Sequence, residues 1–395
     1  MKLLSIAALT GVVVSSAQAS LYDPAPVKLT DGFSVVPQLD AVTYYNDNIY
    51  STETDEASSL IYIVTPSILF GVDDGINRYG GNYELISGSY SYDDADNYLD
   101  QKLSLFAHTE YTDKHRTDFG FKFSDLHEAR GSNLTEGQPL EYPTPLEYNT
   151  YVADGYYQYG AQTAIINVGG GVQYYLKEYT NYTNDTKYDD LSSWTLKLDV
   201  DYQVGSVTYF TADLSRANEV YKYQEPGVAS KDNTDGRITV GARWEGLGKT
   251  VGKAKVGYQL KTFQDSSREN FAGYIVDIGV AWSPLQHSVY EAHVSRAAED
   301  SNTAGDYILA STGAFNWSHN WTEKLDSDVI LVYTHEDYVG ATRIDQTANV
   351  GLYINYEFTR WFKMRTGYEY TKKGSTAPNI RYDQNAINLG LTVAL

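Results

Sequence analysis

Tyr382–Leu395 reads YDQNAINLGLTVAL, and the alternation within it decides the fold. From Ile387 the apolar set is Ile387, Leu389, Leu391, Val393 and Leu395, with Asn388, Gly390, Thr392 and Ala394 between them. A period of two gives a β-strand one greasy face and one small or polar face. The run finishes on the greasy side, at Leu395. As the edge of an open sheet, such a strand would invite aggregation. Pairing with the first strand of a barrel removes that edge, so the expectation is closure.

Working back along the chain, one unit recurs: strand, short turn, strand, longer polar loop. QVGS after Tyr202, GLGKT after Glu245 and PLQH after Ser283 are short connectors. On the other side stand Asn46–Ser59, Glu128–Asn149, Thr180–Asp190, Asn218–Asp235 and Lys372–Arg381. Short turns at one end and long loops at the other are the asymmetry of outer-membrane barrels, whose strands run about 9–11 residues. The reading is an all-β fold, a transmembrane antiparallel β-barrel of about 18 strands, with 16 possible. Strand faces follow. Trp194, Leu196, Leu198, Val200 and Tyr202 alternate with Thr195, Lys197, Asp199 and Asp201, so the first set is assigned to lipid and the second to the interior. Aromatic residues at strand ends, including Tyr44, Tyr45, Tyr111, Tyr179, Trp282, Trp317 and Trp361, are candidates for the interfacial girdles.

Composition agrees. The chain has 37 Tyr, 32 Gly and no Cys, so it has neither disulfides nor thiolate metal sites. Its net charge of -21 argues against nucleic acid as a partner. A mean hydropathy of -0.41 does not argue against a membrane barrel, because only alternate residues meet lipid. Lys2, the apolar run Leu3–Val14 and Ala17-Gln18-Ala19 read as a cleaved export signal over residues 1–19. Residues 20–32 read as a periplasmic lead-in and 33–395 as the outer-membrane barrel, placing the protein in the outer membrane of a Gram-negative bacterium.

Enzyme chemistry is not evident in the sequence. It has no GxSxG elbow, HExxH, P-loop or EF-hand spacing. His293 and Glu291 share a strand face, which is read as solvated lumen rather than a catalytic dyad. Asp73-Asp74, Asp93-Asp94 and Asp189-Asp190 could hold divalent cations through oxygen, yet solvated loop charge is the preferred reading, with no metal site and no cofactor assigned. Function therefore belongs to the bore. Lys197, Asp199, Asp201, Arg243, Glu245, Lys253, Lys255, Lys261, Asp277, Lys363, Arg365 and Glu369 fall on interior registers, together with Tyr175, Tyr209 and Tyr353. Rings among charges of both signs suit sliding sugars, and generic lumen hydration would look the same by residue type. Glu128–Asn149, with Pro139, Pro143 and Pro145, is the longest loop and a candidate to fold inward.

YNDNIYST after the first strand, Val64-Thr65-Pro66 on the second and the Tyr-rich third strand resemble the putative β-barrel porin 2 family, with Asp47-Asn48 as the best of these motifs. Asn388, Gly390, Val393 and Leu395 also resemble the signal read by the barrel assembly machinery, which usually ends in an aromatic rather than Leu. The resemblance implies an outer-membrane exit pore for an exopolysaccharide, served by a periplasmic polysaccharide export protein and surrounded by outer-membrane lipid and lipopolysaccharide. A general or sugar-selective diffusion porin and a surface receptor or adhesin are the alternatives, with a hydrolase last.

Overall fold

In hydrocarbon every backbone N–H and C=O needs a protein partner, and a sheet provides one for all of them only by closing. The computed structural model describes residues 22–30, 32–161, 163–301 and 303–395. The export signal assigned to residues 1–19 lies outside the described residues.

A short strand, β1 (Val27–Thr30), pairs antiparallel with the start of β2 (Phe33–Asn46). The wall continues through β3 (Ser59–Asp73), β4 (Arg78–Tyr90), β5 (Tyr98–Thr112), β6 (His115–Glu128), β7 (Leu146–Tyr159) and β8 (Ile166–Tyr179). Next come β9 (Leu191–Gln203), β10 (Thr208–Tyr221), β11 (Asn233–Leu247), β12 (Thr250–Phe263), β13 (Phe271–Leu285) and β14 (Ser288–Asp300). The circuit ends with β15 (Tyr307–Asn320), β16 (Leu325–Val339), β17 (Arg343–Thr359), β18 (Phe362–Ser375) and β19 (Tyr382–Ala394). From β2 onward each strand pairs antiparallel with the next, and β19 returns to β2 from Ala386↔Asn46 to Ala394↔Gln38. The described residues thus form a closed barrel of 18 strands, β2 to β19, as expected.

The closure has its own clasp, built by the Asp47-Asn48 motif. Asp47 accepts from the Asn385 backbone N–H and side-chain amide, both at 2.7 Å. Asn48, fully buried, donates to the carbonyls of Thr52 at 2.8 Å and Asp383 at 3.0 Å. Gln384 donates back to the Asn48 carbonyl at 2.6 Å. Side chains thereby extend the seam beyond the last ladder pair.

The barrel strands β2 to β19 run 13 to 17 residues, longer than the membrane requires. Most of the excess lies on the long-loop side: β6 continues to Glu128, β7 starts at Leu146, β10 reaches Tyr221 and β18 reaches Ser375. There both faces turn polar, as in Asn218-Glu219 or Lys372-Lys373, so alternation no longer marks the strand while the ladder continues.

Facing follows the sequence on β9, where Trp194, Leu196, Leu198, Val200 and Tyr202 are all exposed outward. Tyr44 and Tyr179 depart from the girdle assignment. Both are buried on the inner face, where their hydroxyls donate to Glu369 and Glu128 at 2.8 Å each. Strand-end position alone does not separate an inner ring from an outer one. On the outer face near mid-strand, Leu198→Arg should destabilise the barrel by about 2–4 kcal/mol in urea titration from vesicles, the cost of a cation at the bilayer midplane.

Candidate functional site

Side chains on alternate positions of β9 to β14 build one charged wall. Arg243 on β11 reaches across β10 to Asp201 on β9 at 2.9 Å, also pairs with Glu245, and lies 4.2 Å over the Tyr209 ring. Asp213 accepts from Lys255 and from the Thr239 hydroxyl, both at 2.7 Å. Asp277 accepts from Lys253 at 2.6 Å, and His293 Nε2 lies 2.9 Å from its other oxygen. His293 therefore partners Asp277 on the adjoining strand and not Glu291, which takes the Asn316 amide at 2.9 Å. These pairs keep contact with water, so each contributes about 0–1 kcal/mol and exchanges readily for other hydrogen-bonding groups.

Lys197 shares this face through its pairing with Ser215 and Gly171, and Tyr175 shares it through Val152 and Ser193. Lys363 lies near the turn-side mouth with its ammonium 4.3 Å over the ring of Tyr22. Tyr22 in turn donates its backbone N–H to Glu357 at 2.9 Å, so the lead-in is tied to the rim. Arg365 stacks on Tyr353 at 3.9 Å, and Glu369 accepts from Tyr44 and from the Asn388 amide at 3.0 Å. Of the assembly-signal residues, Asn388 and Gly390 thus face inward, Gly390 close beside Val42, while Val393 and Leu395 continue the outer register.

One candidate is corrected. Lys261 is 1% exposed, locked by Asp300 at 2.7 Å, Asn233 at 2.8 Å and Glu219 at 3.4 Å. The lock exists because the β13–β14 ladder ends at Val276↔Arg296 and β14 bends toward β12. There the Gln259 amide replaces a ladder pair, donating to the Ala298 carbonyl and accepting its N–H, both at 2.9 Å. Tyr353 lines the larger of two cavities at the mouth while lying across Gly351 and Gly367; a β-carbon on Gly367 would sit 2.3 Å from its ring.

Tyr156 escaped the sequence reading. It donates to Asp199 at 2.8 Å by lying over Gly169 and Gly171, where a β-carbon at Gly169 would come 1.8 Å from its oxygen. The signal was present as Gly169-Gly170-Gly171, a run that weakens a strand unless something approaches closely.

The loop of residues 129–145, which lies within the candidate segment Glu128–Asn149, reaches across the mouth. Its foot is Arg130, which gives Nε to Asp96 at 2.7 Å and Nη2 to Asp96, Asp93 and the Tyr50 hydroxyl at 2.7–2.8 Å. Tyr50 donates to Asp96 at 2.9 Å, and burial followed by that bond pushes its hydroxyl pKa up. Asp93 is held below the usual carboxylate range, first by the Ala95 N–H and then by Arg130. Gly131 has φ +84°, and a β-carbon there would sit 1.9 Å from the Tyr50 carbonyl, so no side chain fits this bend. The loop then reaches strands nearly opposite in the ring, where Glu136 pairs with Arg343 at 2.5 Å and with Lys373. Ser132 and Asn133 line two cavities at once. One, of about 210 Å³, faces β15 to β18, and the other, of about 610 Å³, faces the rings of Tyr44, Tyr90, Tyr98 and Tyr148.

The acidic pairs serve the chain's own donors. Asp189 binds Lys231 at 2.6 Å, Asp190 accepts the Tyr179 N–H at 2.7 Å, and Asp74 accepts the Asn77 N–H at 2.6 Å. Among the described residues no group of three His, Cys, Asp or Glu is placed to hold a metal. Reversing Lys253 and Lys255 together to Glu should shift the reversal potential in a KCl gradient toward cations, since both ammonium groups belong to the water-accessible wall.

Residues 197–395 match the family model described as putative beta-barrel porin 2, from within β9 to the closing strand. The chain belongs to this family. It is an outer-membrane pore of a Gram-negative bacterium and not an enzyme. YNDNIYST and Val64-Thr65-Pro66 lie outside the matched residues. Among solved structures, OccAB2 of Acinetobacter baumannii is similar at TM-score 0.51 and 9% identity, over 93% of this chain and 99% of that one. OccK2 (OpdF) of Pseudomonas aeruginosa is similar at 0.50 and 10%, over 91% and 98%. The FrpB iron transporter of Neisseria meningitidis (F5-1 variant) gives 0.51 and 10%; 88% of this chain is covered, and it spans 64% of that transporter's length. At these identities the likeness is one of fold. No curated protein matches the chain.

Proposed function

We propose that the barrel is an exit pore for an exopolysaccharide, conducting the polymer without acting on it. The observation that carries this reading is the β7–β14 wall, where Tyr156, lying flat and bonded to Asp199, and Tyr209, under the Arg243 guanidinium, sit beside the water-accessible Arg243–Asp201 ion pair. A sugar ring can lay its C–H face on such rings while its hydroxyls replace weak pairs one at a time, so the chain can advance without a deep energy well. On this reading a periplasmic polysaccharide export protein delivers the polymer to the turn-side mouth. Lipopolysaccharide and outer-membrane lipid surround the outer face, and the assembly machinery reads the strand ending in Leu395.

A diffusion channel for small saccharides is the second reading, favoured by the inward loop, which narrows the mouth. One experiment separates the two. With the barrel in a planar bilayer, neutral linear oligosaccharides of rising length are added and interruptions of ion current are recorded. The export reading expects dwell times that lengthen with chain length and shorten in a Tyr156→Ala, Tyr209→Ala variant. Interruption by monosaccharides alone would favour the diffusion channel, and no interruption by any of them would remove the saccharide reading.

A further inference from the structure

The inward loop carries a carboxylate that rests on cations of the opposite wall. Glu136 Oε2 lies 2.5 Å from Arg343 Nη2, and Oε1 takes the Lys373 ammonium. The same two cations hold Asp345, which accepts from Arg343 Nε at 3.0 Å, from Lys373 at 3.1 Å and from the Ser375 hydroxyl at 2.6 Å. Of the two carboxylates balancing this pair, Asp345 belongs to the wall and Glu136 to the loop. Without Glu136 the two cations, largely withdrawn from water, keep Asp345 as their one directly ion-paired carboxylate among the described residues, an arrangement that leaves room for another carboxylate.

The cations are held in place independently of the loop. Arg343 packs 4.2 Å over the Tyr338 ring, and Asp345 fixes the fork of its guanidinium. Beside them lies the cavity of about 210 Å³, whose lining adds Thr334, Thr347, Asn349, Thr371 and Gln384, together with the carboxylates of Glu336 and of Asp300, the latter paired with Lys261. The amide nitrogen of Asn349 is buried there with no hydrogen-bond partner, while its oxygen accepts from Thr371 at 2.8 Å. A buried donor without an acceptor is costly unless a guest satisfies it. Two cations for a carboxylate, hydroxyls and amides around them, and one free donor together describe a site for an acidic sugar.

We propose that Arg343 and Lys373 form a carboxylate-binding site for uronate-type saccharides, in which Glu136 is the resident stand-in that an arriving uronate displaces. This rests on the saccharide reading above and narrows it to acidic sugars. Displacement frees the loop tip while the Arg130 foot stays closed, so the solute that needs the passage also opens it. Glu136 and the solute compete for one site, so the solute's apparent affinity falls in proportion to the occupancy of that site by Glu136.

The test uses the full barrel, purified in detergent, with sodium glucuronate as probe and glucose as the neutral control, read by calorimetry. Glu136→Gln should bind glucuronate about tenfold more tightly than the unaltered protein, the expected gain when a tethered competitor held roughly nine parts in ten is removed. Adding Lys373→Met to Glu136→Gln should reverse that gain, and glucose should distinguish none of the three. In bilayers, glucuronate should raise the ion current of the unaltered protein, and Glu136→Gln should show the raised current without it. Equal glucuronate affinity in the unaltered and Glu136→Gln proteins, both with intact β-sheet circular dichroism, would overturn the site. That result would leave the saccharide reading standing if neutral oligosaccharides still interrupt the current, so the two failures are told apart.

Discussion

Arg130→Ala should release the foot of the inward loop and destabilise the loop's closed position by about 3–5 kcal/mol, the cost of removing one partner from a buried ion pair. Arg130 and Asp96 are both about 5% exposed, and the guanidinium meets Asp96 through two nitrogens. Alanine leaves the Asp96 carboxylate out of water with the Tyr50 hydroxyl as its remaining side-chain donor at the foot. Limited proteolysis within residues 129–145 measures the effect, because cleavage rate follows the population of the open loop. Accelerated cutting there with the barrel itself still folded is the expected result, and unchanged cutting would mean that the loop is held from elsewhere. Asp93→Asn should act in the same direction more weakly, since Asp93 is open to water. Its depressed pKa also fixes a pH dependence: the carboxylate contributes above the ordinary carboxylate range, and its contribution is lost as pH falls through its lowered value. Strong acid should therefore loosen the foot, and so should alkali above the ordinary tyrosine range, because the raised pKa of the Tyr50 hydroxyl then favours the open loop.

Excising residues 132–143 and bridging the gap with a short Gly-Ser link should raise single-channel conductance several-fold. An 18-strand barrel leaves an aqueous bore unless something fills it, and here Ser132 and Asn133 stand between the two cavities of the mouth while Glu136 reaches the far wall. The bridge keeps Arg130 and Gly131, so the foot and the ends of β6 and β7 are preserved. Planar-bilayer recording gives the answer directly. Conductance equal to that of the intact protein would place the constriction elsewhere in the bore.

What could be seen in the sequence follows from what periodicity reports. Alternation in Trp194–Tyr202 or Ile387–Leu395 marks a strand with lipid on one face, so the closed barrel, the strand count and the facing of β9 were all legible. Alternation falls silent where both faces meet water, and strand ends such as Asn218–Tyr221 and Lys372–Ser375 read as loop although the ladder runs through them. Same-face pairing along one strand suggested His293 with Glu291, yet in a sheet the neighbouring strand is also within reach, and Asp277 there is the partner. The loop's contacts were out of range for any local rule. Glu136 and Arg343 stand 207 residues apart, and only the closed ring brings them together. Lys261 looked like an open lumen charge because nothing in its strand announces that β14 will bend over it.

The most direct test of the central claim is made in the source bacterium, by deleting the barrel and measuring polysaccharide at the cell surface and in the periplasm beside a complemented strain. The account predicts loss of surface polymer, accumulation in the periplasm, and restoration of both by complementation. Unchanged surface polymer in a strain with no second copy of the barrel would contradict it.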